Sequence, residues 1–159
     1  MKSFFFLMLS AFLSIGSLFA QPMRVLFVGN SYTHYNNMPL ILEQMADSKG
    51  VKLEVLMDAK SSHTFQMHSK RPELYKNINS TKWDYVVLQG FSRELAQDRA
   101  TIDKQSIPYI KQLLDSIYAN NSCTNVLLFQ TWGYDGGFKD DSLGIDWSYQ
   151  TMSDRIHEG

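Results

Sequence analysis

The sequence predicts an α/β domain: a parallel sheet with helices on both faces. Three observations predict it. Four short runs of β-forming apolar residues are spread along the chain, helical stretches lie between them, and turn residues sit at the junctions. Alternation of this kind yields parallel strands joined by right-handed crossovers.

Arg24-Val25-Leu26-Phe27-Val28 is a nearly continuous apolar run closed by Gly29, the pattern of a strand buried on both faces. Pro39 can open a helix, where its missing N–H costs nothing. Leu40, Ile41, Met45 and Ala46 then recur at helical spacing, and Gly50 is a suitable stop. Val51 to Met57 alternates enough to be a strand near a sheet edge. Ser61 to Ile78 is polar and reads as a loop with one helix. Asp84 to Gln89 is the clearest central strand. Ile107, Ile110, Leu113, Leu114 and Ile117 form one stripe of a helix predicted over 102–118. Pro108 lies inside that stripe, so the helix begins near it or bends there. Asn125 to Gln130 is a fourth strand, followed by a loop with Gly133, Gly136 and Gly137. Tyr149 to Ile156 begins a last helix, and no fifth strand precedes it.

The ends and composition narrow the function. Lys2, the apolar stretch Phe4 to Ile15, and the small exit Gly16, Ser17, Ala20 before Gln21-Pro22 have the layout of a secretory signal peptide. Residues 1–20 are therefore expected to be removed, leaving 21–159 as a single secreted or periplasmic domain with no membrane attachment. A spanning helix needs about 20 apolar residues, and Ser10, Ser14 and Gly16 interrupt this run. The charged side chains nearly balance, 15 basic against 16 acidic, without a basic stripe for nucleic acid. Cys123 is the only cysteine, so no internal disulfide can form and stability must come from an apolar core. No histidine pair has a partner at metal-ligand spacing, and no metal or cofactor is expected.

In a sheet of this kind ligands bind beyond the carboxyl ends of the strands. The loop after the first strand is Gly29-Asn30-Ser31-Tyr32-Thr33-His34-Tyr35-Asn36-Asn37. Gly29 permits a sharp turn, and Ser31 falls at the sheet rim ahead of a helix N-terminus. Its N–H and the positive helix end would stabilise an oxyanion formed when its hydroxyl attacks a carbonyl. The plain alternative is that Asn30, Ser31, Thr33 and Asn37 shape the turn and cap the helix.

Val25 to Thr33, with Gly-Asn-Ser-Tyr-Thr after the strand, resembles the first block of the SGNH (GDSL-like) hydrolase superfamily. The resemblance extends to Trp83 to Gln89 and to Phe129 to Tyr134, in the same order and at similar separations. It implies a three-layer, flavodoxin-like α/β/α fold, incomplete at the C-terminus. It also implies an ester hydrolase using serine acyl transfer, often on acyl groups of carbohydrates or lipids. Carried over residue by residue, Ser31 is the nucleophile. The oxyanion hole would be the N–H of Ser31, a backbone N–H after the second strand, and a side-chain amide after the third. The second-strand loop has Lys60-Ser61-Ser62-His63 where the superfamily usually has a glycine, so Ser62 takes that role. The third-strand loop has no asparagine, so Gln89 takes the amide role. Trp132, Tyr134 and Gly136 are assigned to a subsite or to packing.

The resemblance implies a base in an Asp-x-x-His motif after a fifth strand. Asp154-Arg155-Ile156-His157 spells it, but too early and inside a helix. The motif is either this pair or lies beyond residue 159. In the second case the chain is expected to be weakly active or inactive. His34, His63 and His68 read as surface polar residues, with His34 close to the site. The expected partner is a small-molecule or glycan ester; the alternatives are glycan binding without catalysis and phosphate or nucleotide binding at the Ser31/Thr33 loop.

Overall fold

The computed structural model describes residues 21–159, so the expected signal segment lies outside the described residues. The first strand, β1 (Met23–Gly29), pairs on one side with β2 (Leu53–Ala59) and on the other with β3 (Tyr85–Leu88). β3 in turn pairs with β4 (Asn125–Leu128). All three pairings are parallel and the order is β2-β1-β3-β4. The chain steps one way from β1 to β2 and the other way from β2 to β3 and β4. Right-handed crossovers therefore place the first connecting helix on one face and the later ones on the opposite face. This is the doubly wound arrangement expected.

Between β1 and β2 lie the single-turn α1 (Ser31–His34), a 3-10 turn (Tyr35–Asn37) and α2 (Met38–Asp47). The expected single helix after β2 is two short ones, α3 (Phe65–His68) and α4 (Pro72–Ile78). The helix predicted over 102–118 is likewise divided into α5 (Arg99–Gln105) and α6 (Ile107–Asn120). The break falls at Ser106, and Pro108 sits in the first turn of α6, where a proline fits. The glycine-rich loop after β4 leads into a two-stranded hairpin, β5 (Phe138–Asp140) and β6 (Ile145–Trp147), which periodicity did not predict. A last helix, α7 (Tyr149–Glu158), follows.

The alternation of side chains along the strands divides the core. Leu26, Val28, Val86 and Leu88 point to one face and pack against Phe65, Leu74, Ile78, Ile110, Leu113 and Ile117. Trp83 joins them, its indole N–H donating to the carbonyls of Asn77 and Ile78. The opposite face is less covered. α2 packs against β2 there, yet Ile41 and Met45 remain 45% and 62% exposed, so the stripe read from the sequence finds few partners. β4 is the outer strand, with Leu127 and Leu128 on opposite faces and both exposed. A smaller cluster of Ala96, Met152 and Ile156, with Tyr134, Phe138 and Trp147, seats α7 and the hairpin.

Candidate active site

Because the four strands run in parallel, the loops following β1, β2, β3 and β4 gather at one end of the sheet. There Ser31, Ser61 to His63, Gln89 to Phe91, and Phe129 to Trp132 meet, as the strand order requires.

Ser31 is the first residue of α1 and half-buried. Asn30 caps the turn: its side-chain oxygen accepts from Tyr32 N at 3.2 Å, and its carbonyl from the N–H groups of Thr33 and His34 at 3.0 Å. Asn30 and Thr33 are buried at 1% exposure and do the turn-shaping work. Ser31 contributes only its carbonyl, which accepts from Tyr35 N; among the described residues neither its N–H nor its hydroxyl has a hydrogen-bond partner. It faces a cleft of about 560 Å3 lined by Tyr32, Tyr35, Met38, Ile41, Phe129 and Trp132. Tyr32 and Trp132 meet edge to face at 4.7 Å. One expectation needs correcting. α1 is a single turn, so an aligned dipole of several turns does not stand behind Ser31, and its free backbone N–H remains the local donor.

Ser62 has φ 60, in the left-handed region that glycine enters most easily. It occupies the corner of a turn closed by His63 N donating to Lys60 O at 3.2 Å, and its own N–H has no partner among the described residues. The backbone thus takes at Ser62 the shape for which a glycine was missed in the sequence. Ser61 beside it holds His34 Nε2 at 3.1 Å and joins the first two loops.

Gln89 departs from its expected role. It is buried at 1% exposure. Its side-chain oxygen accepts from Asn30 N and from the Thr33 hydroxyl, each at 2.9 Å, and its amide donates to Gly90 O. The amide is thereby engaged by Gly90 O, and Gln89 is not among the residues that line the cleft. A Cβ at Gly29 would overlap Thr33 Oγ1 and Gln89 Oε1, so glycine is needed there for space as well as for turning.

The histidines lie as follows. His63 Nδ1 donates to the Ser61 carbonyl at 3.2 Å. His68, read from the sequence as a surface residue, is fully buried, and its Nε2 has no partner. Burial, with the neighbouring His63 and Arg71, pushes its pKa from 6.5 to about 4. Arg71 lies against a buried carboxylate, Asp58, at 2.5 Å, and Asn77 donates to the same carboxylate at 2.9 Å. Asp154 and His157 are exposed on α7, and Asp154 accepts from Gln150 at 2.7 Å rather than from His157. No histidine among the described residues hydrogen-bonds the Ser31 hydroxyl.

Sequence reasoning also missed Glu94. Its carboxylate accepts from the N–H groups of Phe65 and Phe91 and from Ser106 Oγ, fastening three segments. Burial pushes its pKa up against those bonds. The signal available was Glu94 placed three residues after Phe91. Trp132 lines the cleft, whereas Tyr134 belongs to packing, its hydroxyl 2.5 Å from Ser92 Oγ.

No protein-family model matches the chain, and no curated protein matches it in sequence. Solved structures do. A candidate SGNH hydrolase from Slackia heliotrinireducens is 25% identical at a TM-score of 0.64, over 87% of this chain and 71% of that one. A DUF4886 family protein from Bacteroides uniformis is 18% identical at a TM-score of 0.69, over 87% of this chain and 61% of that one. AlinE4, an esterase of the SGNH-hydrolase family, is 18% identical at a TM-score of 0.53, over 87% of this chain and 70% of that one.

Proposed function

We propose, from the fold that the chain shares with SGNH hydrolases, that it is an exported serine ester hydrolase with Ser31 as nucleophile. One observation carries the reading. Ser31 stands at the rim of the parallel sheet with both its hydroxyl and its N–H unengaged among the described residues, while every neighbour in its turn is hydrogen-bonded.

In this reading Ser31 Oγ attacks the ester carbonyl carbon, and the carbonyl electron pair moves to oxygen. The N–H groups of Ser31 and Ser62 meet that oxygen. Collapse breaks the bond to the alcohol, which leaves with the proton taken from Ser31, and water then releases the acyl group by the same route. Two backbone donors replace the three groups that the resemblance implied, since Gln89 is occupied elsewhere.

The proton from Ser31 needs an acceptor. His34, His63 and His68 are turned to other partners, and Asp154 does not orient His157. No base is therefore paired with Ser31 among the described residues, and we read residues 21–159 as weakly active. An acyl ester of a carbohydrate is the proposed substrate: the exposed Trp132, edge to face with Tyr32, offers a ring surface to a sugar beside the nucleophile.

A fluorophosphonate probe tests the nucleophile. Ser31 should carry the label slowly, since no base is paired with it, and Ser31→Ala should abolish it; labelling that survives the substitution removes the assignment. The absence of a histidine on Ser31 favours a second reading, glycan binding without turnover. It predicts oligosaccharide binding with no acyl release from a panel of esters.

A further inference from the structure

The side chain of Gln89 makes three hydrogen bonds beside the nucleophile, and the proposed reaction leaves it without a task. Its position follows from the sheet. Leu88 pairs with Val28, and Gln89 N donates to Val28 O at 2.8 Å, so residue 89 leaves β3 directly beside the turn that leaves β1. Its oxygen then receives two donors from that turn, the Asn30 N–H and the Thr33 hydroxyl. The amide cannot be reversed, because a backbone N–H only donates and would face an NH2 group. Asn30 closes the loop of bonds from its side, its amide donating to Gly90 O at 2.9 Å and His63 O at 3.2 Å.

Resting on the hydrolase reading, we propose that Gln89 is a positioning residue: its side-chain oxygen pins Asn30 and Thr33 on either side of Ser31, holding the nucleophile free and aimed into the cleft. The oxygen is the working part. The amide, buried at 1% exposure and directed at Gly90, presents no donor to a substrate. Gly29 supports the reading, since a side chain there would displace this oxygen and the Thr33 hydroxyl together.

The test uses Gln89→Met, which keeps the volume and removes the acceptor, Thr33→Val, which removes one of its two donors, and the double variant. Amide hydrogen exchange is read at Asn30, with Leu26 and Val86 as references, alongside the second-order rate of fluorophosphonate labelling at Ser31. In Gln89→Met, exchange at Asn30 should rise about tenfold, on the scale of one lost buried hydrogen bond, with the references unchanged. Labelling should slow in each single variant, and the double variant should be no slower than the slower single. Unchanged exchange at Asn30 overturns the pin. Losses that add in full in the double variant overturn the shared route through Thr33. If Gln89→Met does not fold, Thr33→Val alone decides, and unchanged labelling there overturns the proposal. A wild-type chain that takes no label at Ser31 even on prolonged exposure to excess probe overturns the hydrolase reading, and the role of Gln89 with it, whatever Asn30 shows.

Discussion

His68 offers a direct measurement of what the interior of this domain excludes. It is fully buried, and three charged or titratable side chains face it: His63 at 5.1 Å between ring centroids, Arg71 with a guanidinium nitrogen 3.4 Å from Nδ1, and Asp58 behind Arg71. A guanidinium only donates, so Nδ1 accepts, the ring is neutral and the proton is on Nε2. Its folded pKa lies near 4 instead of 6.5, chiefly because burial disfavours the charge. Above pH 6.5 the ring is neutral in both states and the shift has no effect. As pH falls below 6.5 the unfolded chain takes a proton that the folded one refuses, so stability declines until about pH 4 and this contribution then levels off. Each unit in that window is worth about 1.4 kcal/mol, and the whole window amounts to about 3 kcal/mol. Urea unfolding at pH 7 and pH 4.5, on the native chain and on His68→Phe, isolates the effect, because the carboxylates titrate in both. The native chain should lose about 2–3 kcal/mol more than the variant over that interval. Parallel losses in the two chains would show that the ring is charged or hydrated inside the fold, and the argument would fail.

Further outcomes follow from particular contacts. Asp58→Ala leaves the half-buried Arg71 guanidinium without its buried carboxylate and should cost about 2–3 kcal/mol in chemical denaturation. Leu113→Ala, in the middle of the α6 stripe with no exposed surface, should cost about 2–5 kcal/mol by the same assay. Ser62→Gly relieves a left-handed residue and should raise stability by up to about 1 kcal/mol, with labelling of Ser31 retained; Ser62→Val should reverse the sign. Gly29→Ala should cost about 1–3 kcal/mol and slow labelling of Ser31, because the methyl drives Thr33 and Gln89 apart.

Three of the sheet strands were legible as β-forming apolar runs, the signal of a parallel sheet, and β2, at the sheet edge, as an alternating one. Pro108 also announced the break between α5 and α6. The β5–β6 hairpin was illegible: each strand has three residues, too short for alternation to register beside the neighbouring glycines. At the site, Ser31 could be read from its block and its place after a strand. Ser62 could be named but its turn could not, since a serine in the left-handed region leaves no mark in composition. Gln89 illustrates the limit. Residue type disclosed a donor and an acceptor on one side chain, while only the approach of Asn30 and Thr33 settles which end is used. His68 was misread for a related reason, because nothing local distinguishes a histidine enclosed beside Arg71 and Asp58 from one in water.

The bare outer ladder of β4 carries a practical cost. Along that rim the backbone donors and acceptors have no neighbour among the described residues, and a leucine projects on either side of it. Such a rim is a template for another molecule's strand. A concentrated preparation of residues 21–159 should drift toward intermolecular β-structure, and Leu127→Lys or Leu128→Lys is the natural remedy for handling it.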